Sequence, residues 1–309
     1  MGRSRGQVIV VAALGIAVTL VALALITNTV IYTQNLATRE TADAVDPVAY
    51  QQSSREAVGG LLALANRYNA TDHESIATRF RNDVENYSAT TAIEAARNGR
   101  LAVVSVTSVT NGTRIFQNAS RNFTDDDGNV TWTLANDVDR VRRFELNVTQ
   151  DELTESSPFE VVVTNGSAEW TATIEQNGTD GAELVLENDT TTETCTVNAE
   201  HAVVDLTEGT LAGRACDGPT FAAGVSPPYD VEFHNASNGH GRYVLFVEDT
   251  SISDENYHGA PYTENPNEAP AVYSATVHLT MRRPDLIYET NLTVAPEDSP
   301  EDGDYGVVP

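Results

Sequence analysis

The chain has 309 residues, with 45 acidic against 18 basic side chains and a formal charge of -27; every one of those 18 cations is arginine. A body so acidic is a poor partner for nucleic acid or an anionic membrane surface. Its 40% hydrophobic content argues for a folded core, and acid excess without lysine keeps a surface hydrated where salt screens charge.

The first element is an uncharged run. No Asp, Glu, Lys, Arg or His occurs from Gln7 to Thr38, and Val8 to Ile26 is almost wholly aliphatic. Residues 8–32, as a helix with a rise of about 1.5 Å per residue, reach roughly 37 Å, enough for a hydrocarbon core of about 30 Å. A buried helix of a soluble protein at this length would carry a polar stripe. Arg3 and Arg5 precede the run and acid dominates after Arg39, so the positive-inside rule leaves the N-terminus cytoplasmic and the body outside. A cleaved secretory signal fits less well, because the apolar stretch is too long and no A-x-A site follows. Residues 1–46 are therefore expected to be a cytoplasmic leader and a transmembrane helix contacting the lipid bilayer through residues 8–32.

Residues 47–99 are expected to be an extracellular helical segment. Val58, Leu61, Leu62, Ala65 and Tyr68 share one face, "YNATD" interrupts the pattern, and Ile76, Phe80, Val84 and Tyr87 resume it. Thr71 to Glu74, "TDHE", matches a capping box at the second helix start. Asn98-Gly99 is its stop signal.

From Leu101 the hydrophobic period changes to two. Runs such as "LAVVSVTSV", "RVRRFELNVT", "PFEVVVTN", "AEWTATIEQ", "GRYVLFVED" and "AVYSATVHLTM" are rich in Val, Thr and aromatics and are separated by turn residues. Asp127-Gly128, Asn165-Gly166 and Asn177-Gly178 carry the signature of type I′ hairpins. The fold class predicted is α+β: a long N-terminal transmembrane helix, a short helical segment, then a mainly antiparallel, sandwich-like β body over 100–295. Residues 296–309, "PEDSPEDGDYGVVP" from Pro296, form an acidic tail with too little to bury and are expected to be disordered.

Two further features point outside the cell. N-x-[ST] tripeptides stand at Asn69, Asn86, Asn111, Asn118, Asn122, Asn147, Asn165, Asn177, Asn188, Asn235 and Asn291, all beyond the apolar run. Cys195 and Cys216, the chain's two cysteines, are spaced for one disulfide closing a local loop, and are too few for a zinc site of Cys alone.

No catalytic constellation stands out in the sequence. No H-x-x-x-H or H-E-x-x-H places two histidines on one helical face. His234 and His240, on either side of a turn, could share a metal, but loop histidines on a polar surface are the commoner case. "TDDDGNV" at Thr124 to Val130 lacks the EF-hand ligand spacing and reads better as a tight turn. No Walker loop, dinucleotide fingerprint or G-x-S-x-G occurs. The arginines Arg140, Arg142, Arg143, Arg282 and Arg283 read as salt-bridge partners of the many carboxylates, with a docking patch as the sharper alternative. No enzyme activity, cofactor, metal site or nucleic-acid partner is expected.

The stretch "SRGQVIVVAALGIAVTLVALALITNTVIYTQNLATRE" resembles the N-terminus of type IV pilin-like proteins of halophilic archaea. That resemblance covers about forty residues. It implies a short basic leader, "MGRSRG", cut after Gly6 so that the mature chain begins at Gln7. Classical bacterial pilins have a Glu five residues into the mature chain, where this sequence has Val11, which bears on filament assembly more than on processing. The function expected is a membrane-anchored, extracellular surface protein of pilin-like organisation, structural or adhesive, from a halophilic archaeon. Copies of itself or other pilin-like subunits are the partners implied. The alternative is a single-pass ectodomain binding a small ligand or an envelope partner.

Salt tests the charge argument. Lowering ionic strength from molar to about 0.1 M lengthens the Debye screening distance from about 3 Å to about 10 Å. The unfolding midpoint of the exported body should therefore fall on transfer to dilute buffer, and a midpoint unchanged across that range would contradict the halophilic reading.

Overall fold

The computed structural model describes residues 47–67, 70–178, 181–248, 257–259 and 261–296. The apolar run, the Gly6-Gln7 junction, Tyr68, Asn69 and the tail from 297 onward lie outside the described residues. Among the described residues no helix is long and apolar enough to cross a membrane. Contacts divide the chain at Ser54, and the architecture below concerns the unit that begins there.

Residues 47–67 are helical (α1), and His73–Arg97 form α2. Val58, Leu62 and Ala65 on α1, and Ile76, Phe80 and Val84 on α2, are buried at the three- and four-residue steps read from the sequence. The start of α2 differs from expectation by one residue. Asp72, not Thr71, is the cap: its Oδ1 accepts from Ser75 N at 2.7 Å, while Thr71 Oγ1 donates to Asp72 Oδ2 at 3.1 Å. A carboxylate adjacent to the helix attracts the orphan amides more strongly than a hydroxyl one residue further away. At the other end Gly99 adopts φ +67° and donates to Ala96 O at 3.0 Å, so Asn98-Gly99 is the stop.

Two sheets follow. The larger has eight strands in the order β10 (Arg214–Ala215), β9 (Thr210–Leu211), β8 (His201–Asp205), β3 (Val141–Thr149), β12 (His240–Val247), β1 (Leu101–Asn122), β13 (Asn267–Arg283) and β14 (Leu286–Val294). The smaller has six: β2 (Trp132–Val138), β11 (Tyr229–His234), β4 (Phe159–Thr164), β5 (Glu169–Asn177), β6 (Gly181–Asn188) and β7 (Thr192–Val197). All pairings between these strands are antiparallel. Their inner faces enclose one apolar core. At its centre the Phe233 ring lies 5.0–6.2 Å from those of Phe123, Trp132, Phe144, Phe159 and Tyr243. Rings at these separations add about 0.5–1.5 kcal/mol per pair beyond their burial.

The long strand β1 joins the layers. Its first half pairs with β13, and its second half pairs with β12 as well. Ile115 faces the sandwich core, whereas Phe116 packs with Ala269, Ala271 and Tyr262 in a second apolar cluster on the opposite face. Residues 112–117 are consequently all buried. Period-two alternation disappears where both faces are covered, which is why the sequence reading ended this strand near Val109. Gly112 sits at the tightest point: a Cβ there would stand 2.5 Å from Val247 O and 2.9 Å from Tyr273 Cβ.

The hairpin expectations need correction. Asp127-Gly128 does not join paired strands; it lies on the passage from β1 in one sheet to β2 in the other. Asn165-Gly166 and Asn177-Gly178 do connect neighbours, β4 to β5 and β5 to β6. Only their glycines have positive φ, so neither is a type I′ turn. At the first, Asn165 Oδ1 accepts from Ser167 N, Ser167 Oγ and Ala168 N at 2.8–3.0 Å, and this side-chain cap replaces a left-handed Asn backbone.

Cys195 on β7 is bonded to Cys216, just past β10, with Cα atoms 5.9 Å apart. The bond ties the edge of one sheet to the edge of the other. By chain entropy a loop of this 21-residue separation is stabilised by about 3 kcal/mol.

The helices are fastened to the larger sheet by Asn66. Its Nδ2 donates to Val272 O at 2.9 Å and its Oδ1 accepts from Val272 N at 2.8 Å, a peptide-like pair at 3% exposure. The pairing occurs where the β1–β13 ladder slips between Thr110 and Asn111. Asn66→Ala would strand a buried N–H and C=O, costing about 2–4 kcal/mol. The urea midpoint should fall accordingly, against little change for Asn82→Ala on the exposed face of α2; equal midpoints would show that the side chain does not fasten the helix.

Candidate functional site

Titratable and polar side chains gather at one end of the sandwich, where the chain leaves β1. Arg121 reaches back to Asn265 O and donates to Thr124 Oγ1 at 2.8 Å and Asp125 O at 3.1 Å. Asp125, 2% exposed, accepts from Asn129 N at 2.7 Å and from Asn129 Nδ2 at 2.6 Å, one bond to each carboxylate oxygen. Each oxygen of this carboxylate thus accepts one bond from Asn129. The turn is held by its own acid.

His258 stands beside it. Nε2 lies 2.6 Å from Asp126 Oδ1, and Nδ1 lies 3.2 Å from Glu264 Oε2. Its main chain bonds Pro266 O and Glu268 N at 2.9 and 3.1 Å. Both ring nitrogens face carboxylates. This imidazole ties the acidic turn to the segment ahead of β13.

The other sequence-flagged groups are dispersed. His234 bonds Glu232 at 2.8 Å and His240 bonds Asn122 at 3.0 Å. Among the described residues no group of three His, Cys, Asp or Glu side chains could hold a metal ion. The arginines are internally engaged. Arg140 pairs with Glu248 at 2.5 Å, Arg143 with Glu145 at 2.6 Å, Arg282 with Glu289 at 2.6 Å and Arg283 with Asp285 at 3.8 Å. Arg142 lies over the Tyr273 ring, 4.4 Å from its centroid. An open cleft of about 780 Å³ lies along the first turns of α2. Its Asp72 carboxyl is held below the usual range first by the Ser75 amide that it caps. The cleft's acid is a helix cap in use.

Arg114 is a deeply buried charge. It is 6% exposed, its Nη1 donates to Asn66 O at 2.6 Å, and its guanidinium lies 4.3 Å from the Phe116 centroid. Burial lowers its pKa to about 10. Among the described residues no carboxylate pairs with it, and it lies beyond the strand run read from the sequence, which ends at Val109.

The N-x-[ST] asparagines lie on the surface. Asn86, Asn111, Asn118, Asn122, Asn165, Asn177 and Asn291 are exposed, and Asn147, Asn188 and Asn235 are half-buried. A further tripeptide, Asn129–Thr131, lies hidden inside the acidic turn, with its asparagine exposed.

Buried tyrosines set the alkaline limit. Burial raises the Tyr229 hydroxyl to about 12 and pushes Tyr243 and Tyr257 up as well. Between pH 10 and 12 these remain protonated in the fold while the unfolded chain loses their protons. Their stabilisation is complete below pH 10 and is lost as pH rises through the folded values. Arg114, with its lowered pKa, acts in the opposite sense, one group against three. Stability should therefore fall above pH 10, with a late tyrosinate absorbance step coinciding with loss of the β circular-dichroism signal. Ionisation of all 11 tyrosines near pH 10 with the fold intact would contradict this burial.

A family of unknown function, DUF7261, matches residues 2–164, just over half of the chain, and the chain belongs to that family. No curated protein and no solved structure matches it.

Proposed function

We propose that this member of the DUF7261 family is a membrane-anchored surface protein of pilin-like organisation from a halophilic archaeon, structural or adhesive in role. It is held in the bilayer by residues 8–32, with its N-terminus cytoplasmic and its β body outside. The observation that carries the reading is the 32-residue uncharged run from Gln7 to Thr38, with basic residues before it and acid after it. The Cys195–Cys216 bond supports it, because disulfides persist in oxidising surroundings. So does the surface position of the described N-x-[ST] asparagines, none of which is buried. The polar clusters support a structural role: Asp125, His258 and the paired arginines hold loops and strands of the protein itself.

Processing gives the test. A prepilin-type peptidase reads basic residues ahead of the span and cuts on the cytoplasmic side, whereas an ordinary signal peptidase cuts beyond the span and discards it. Terminal sequencing of the cell-associated protein should find a chain beginning at Gln7, blocked where the glutamine has cyclised, and Gly6→Ile should abolish the cut. A start at Met1 or Gly2 would favour a simple single-pass anchor, and a start beyond Tyr32 would mean a secreted protein and remove the pilin comparison.

A further inference from the structure

Between Gln117 and Arg121 the β1–β12 ladder breaks. Gln117 pairs with Tyr243 and Arg121 with Gly241, so three residues of β1, Asn118, Ala119 and Ser120, stand opposite one residue of β12. The excess chain is extruded as a bulge, and all three residues are exposed. The base of the bulge is closed tightly. Gln117, 1% exposed, donates through Nε2 to Arg121 O at 3.0 Å and to Gly241 O at 2.8 Å. From outside, Asn265 Oδ1 accepts from Asn118 N at 2.9 Å. The main chain is fixed, and among the described residues the exposed asparagine side chain makes no hydrogen bond.

Asn118-Ala119-Ser120 is also an N-x-[ST] tripeptide. Among the described residues three such tripeptides are exposed at all three positions: 118–120, 129–131 and 165–167. Their amide nitrogens differ. Asn129 Nδ2 donates to Asp125 Oδ2 at 2.6 Å and so closes the acidic turn. Asn165 Nδ2 donates to Ser226 O at 3.0 Å while its Oδ1 caps the β4–β5 turn. Asn118 Nδ2 has no bond to a described residue. At the half-buried Asn188 and Asn235 the nitrogen is again committed, to Ala223 O and Pro158 O, each at 3.0 Å.

We propose that Asn118 is the principal N-glycosylation site of the folded body, and that the bulge displays it. The proposal rests on the outward-facing reading above. The donor is a polyprenyl-phosphate-linked oligosaccharide. Asn118 Nδ2 forms a bond to the sugar's anomeric carbon, the bond from that carbon to the phosphate oxygen breaks, and the polyprenyl phosphate departs with the electron pair while Nδ2 releases one proton. The Ser120 hydroxyl completes the acceptor tripeptide. Among the described residues, attachment at Asn118 displaces no hydrogen bond, whereas at Asn129, Asn165, Asn188 or Asn235 it would crowd an amide nitrogen that already donates to the fold.

The test is glycopeptide mapping by mass spectrometry of the full-length protein purified from its own membranes, alongside protease shaving of intact cells. The expected result is a sugar-bearing peptide spanning Asn118. That species should be lost completely in both N118Q and S120A, with unfolding midpoints close to that of the parent because neither side chain bonds a described residue. Loss in N118Q but retention in S120A would overturn the assignment, as would an unmodified Asn118 in the parent. Modification concentrated at Asn188 or Asn235 would overturn the geometric selection. A body cleaved by external protease but bare at Asn118 would defeat this proposal alone. A protected body would defeat the outward-facing reading, and this proposal with it.

Discussion

Residues 112–117 of β1 are covered on both sides, and the rest of the body is arranged around that double burial. One face meets the aromatic core of the sandwich through Ile115; the other meets the α1–β13 junction through Arg114 and Phe116. A strand of this kind needs residues that suit two environments at once, and Gly112 and Arg114 show the consequence. The glycine lets β12 and β13 approach within a distance no side chain would permit. The arginine sends its charge under the helix, where a main-chain carbonyl and an aromatic face stand in for water.

Such a chain must also manage an acidic excess. Five of its scarce cations, Arg140, Arg142, Arg143, Arg282 and Arg283, sit on or beside strands next to carboxylates or an aromatic ring, where they reduce like-charge repulsion locally. Arg140 and Arg282 are more than half exposed, so each of their pairs contributes well under 1 kcal/mol. Packing carries the stability of the sandwich: the rings around Phe233 outweigh those surface pairs several-fold. Salt enters through the uncompensated acids.

Legibility in the sequence followed the number of environments each segment meets. The helices were readable because each buries one face, so Val58, Leu62, Ile76 and Phe80 leave a clear stripe. Strands β4, β5 and β12 were readable as Val- and aromatic-rich runs between turn residues, and Cys195 and Cys216 as a pair. The second half of β1 was not, because "TNGTRIFQN" mixes Gly, Arg and Gln at positions buried for different reasons. The two-residue strands β9 and β10 carry too few side chains to show any period. Turn types failed where a side chain took over the backbone's role: Asn165 and Asp125 both close loops with their own oxygen atoms. The Asn118 bulge was invisible for a related reason, since only the pairing with β12 reveals that three residues have been extruded.

The two ends of the sandwich solve the edge problem differently. At the β7 and β10 edges a covalent bond holds the sheets together, which suits strands too short to supply much packing. At the end where β1 departs, closure is polar: Arg121, Asp125 and His258 knit the crossing segments through hydrogen bonds and ion pairs. Both ring nitrogens of the histidine and both oxygens of Asp125 are thereby committed to holding chain against chain. Covalent closure at one end and polar closure at the other hold the sheets together where strand pairing stops.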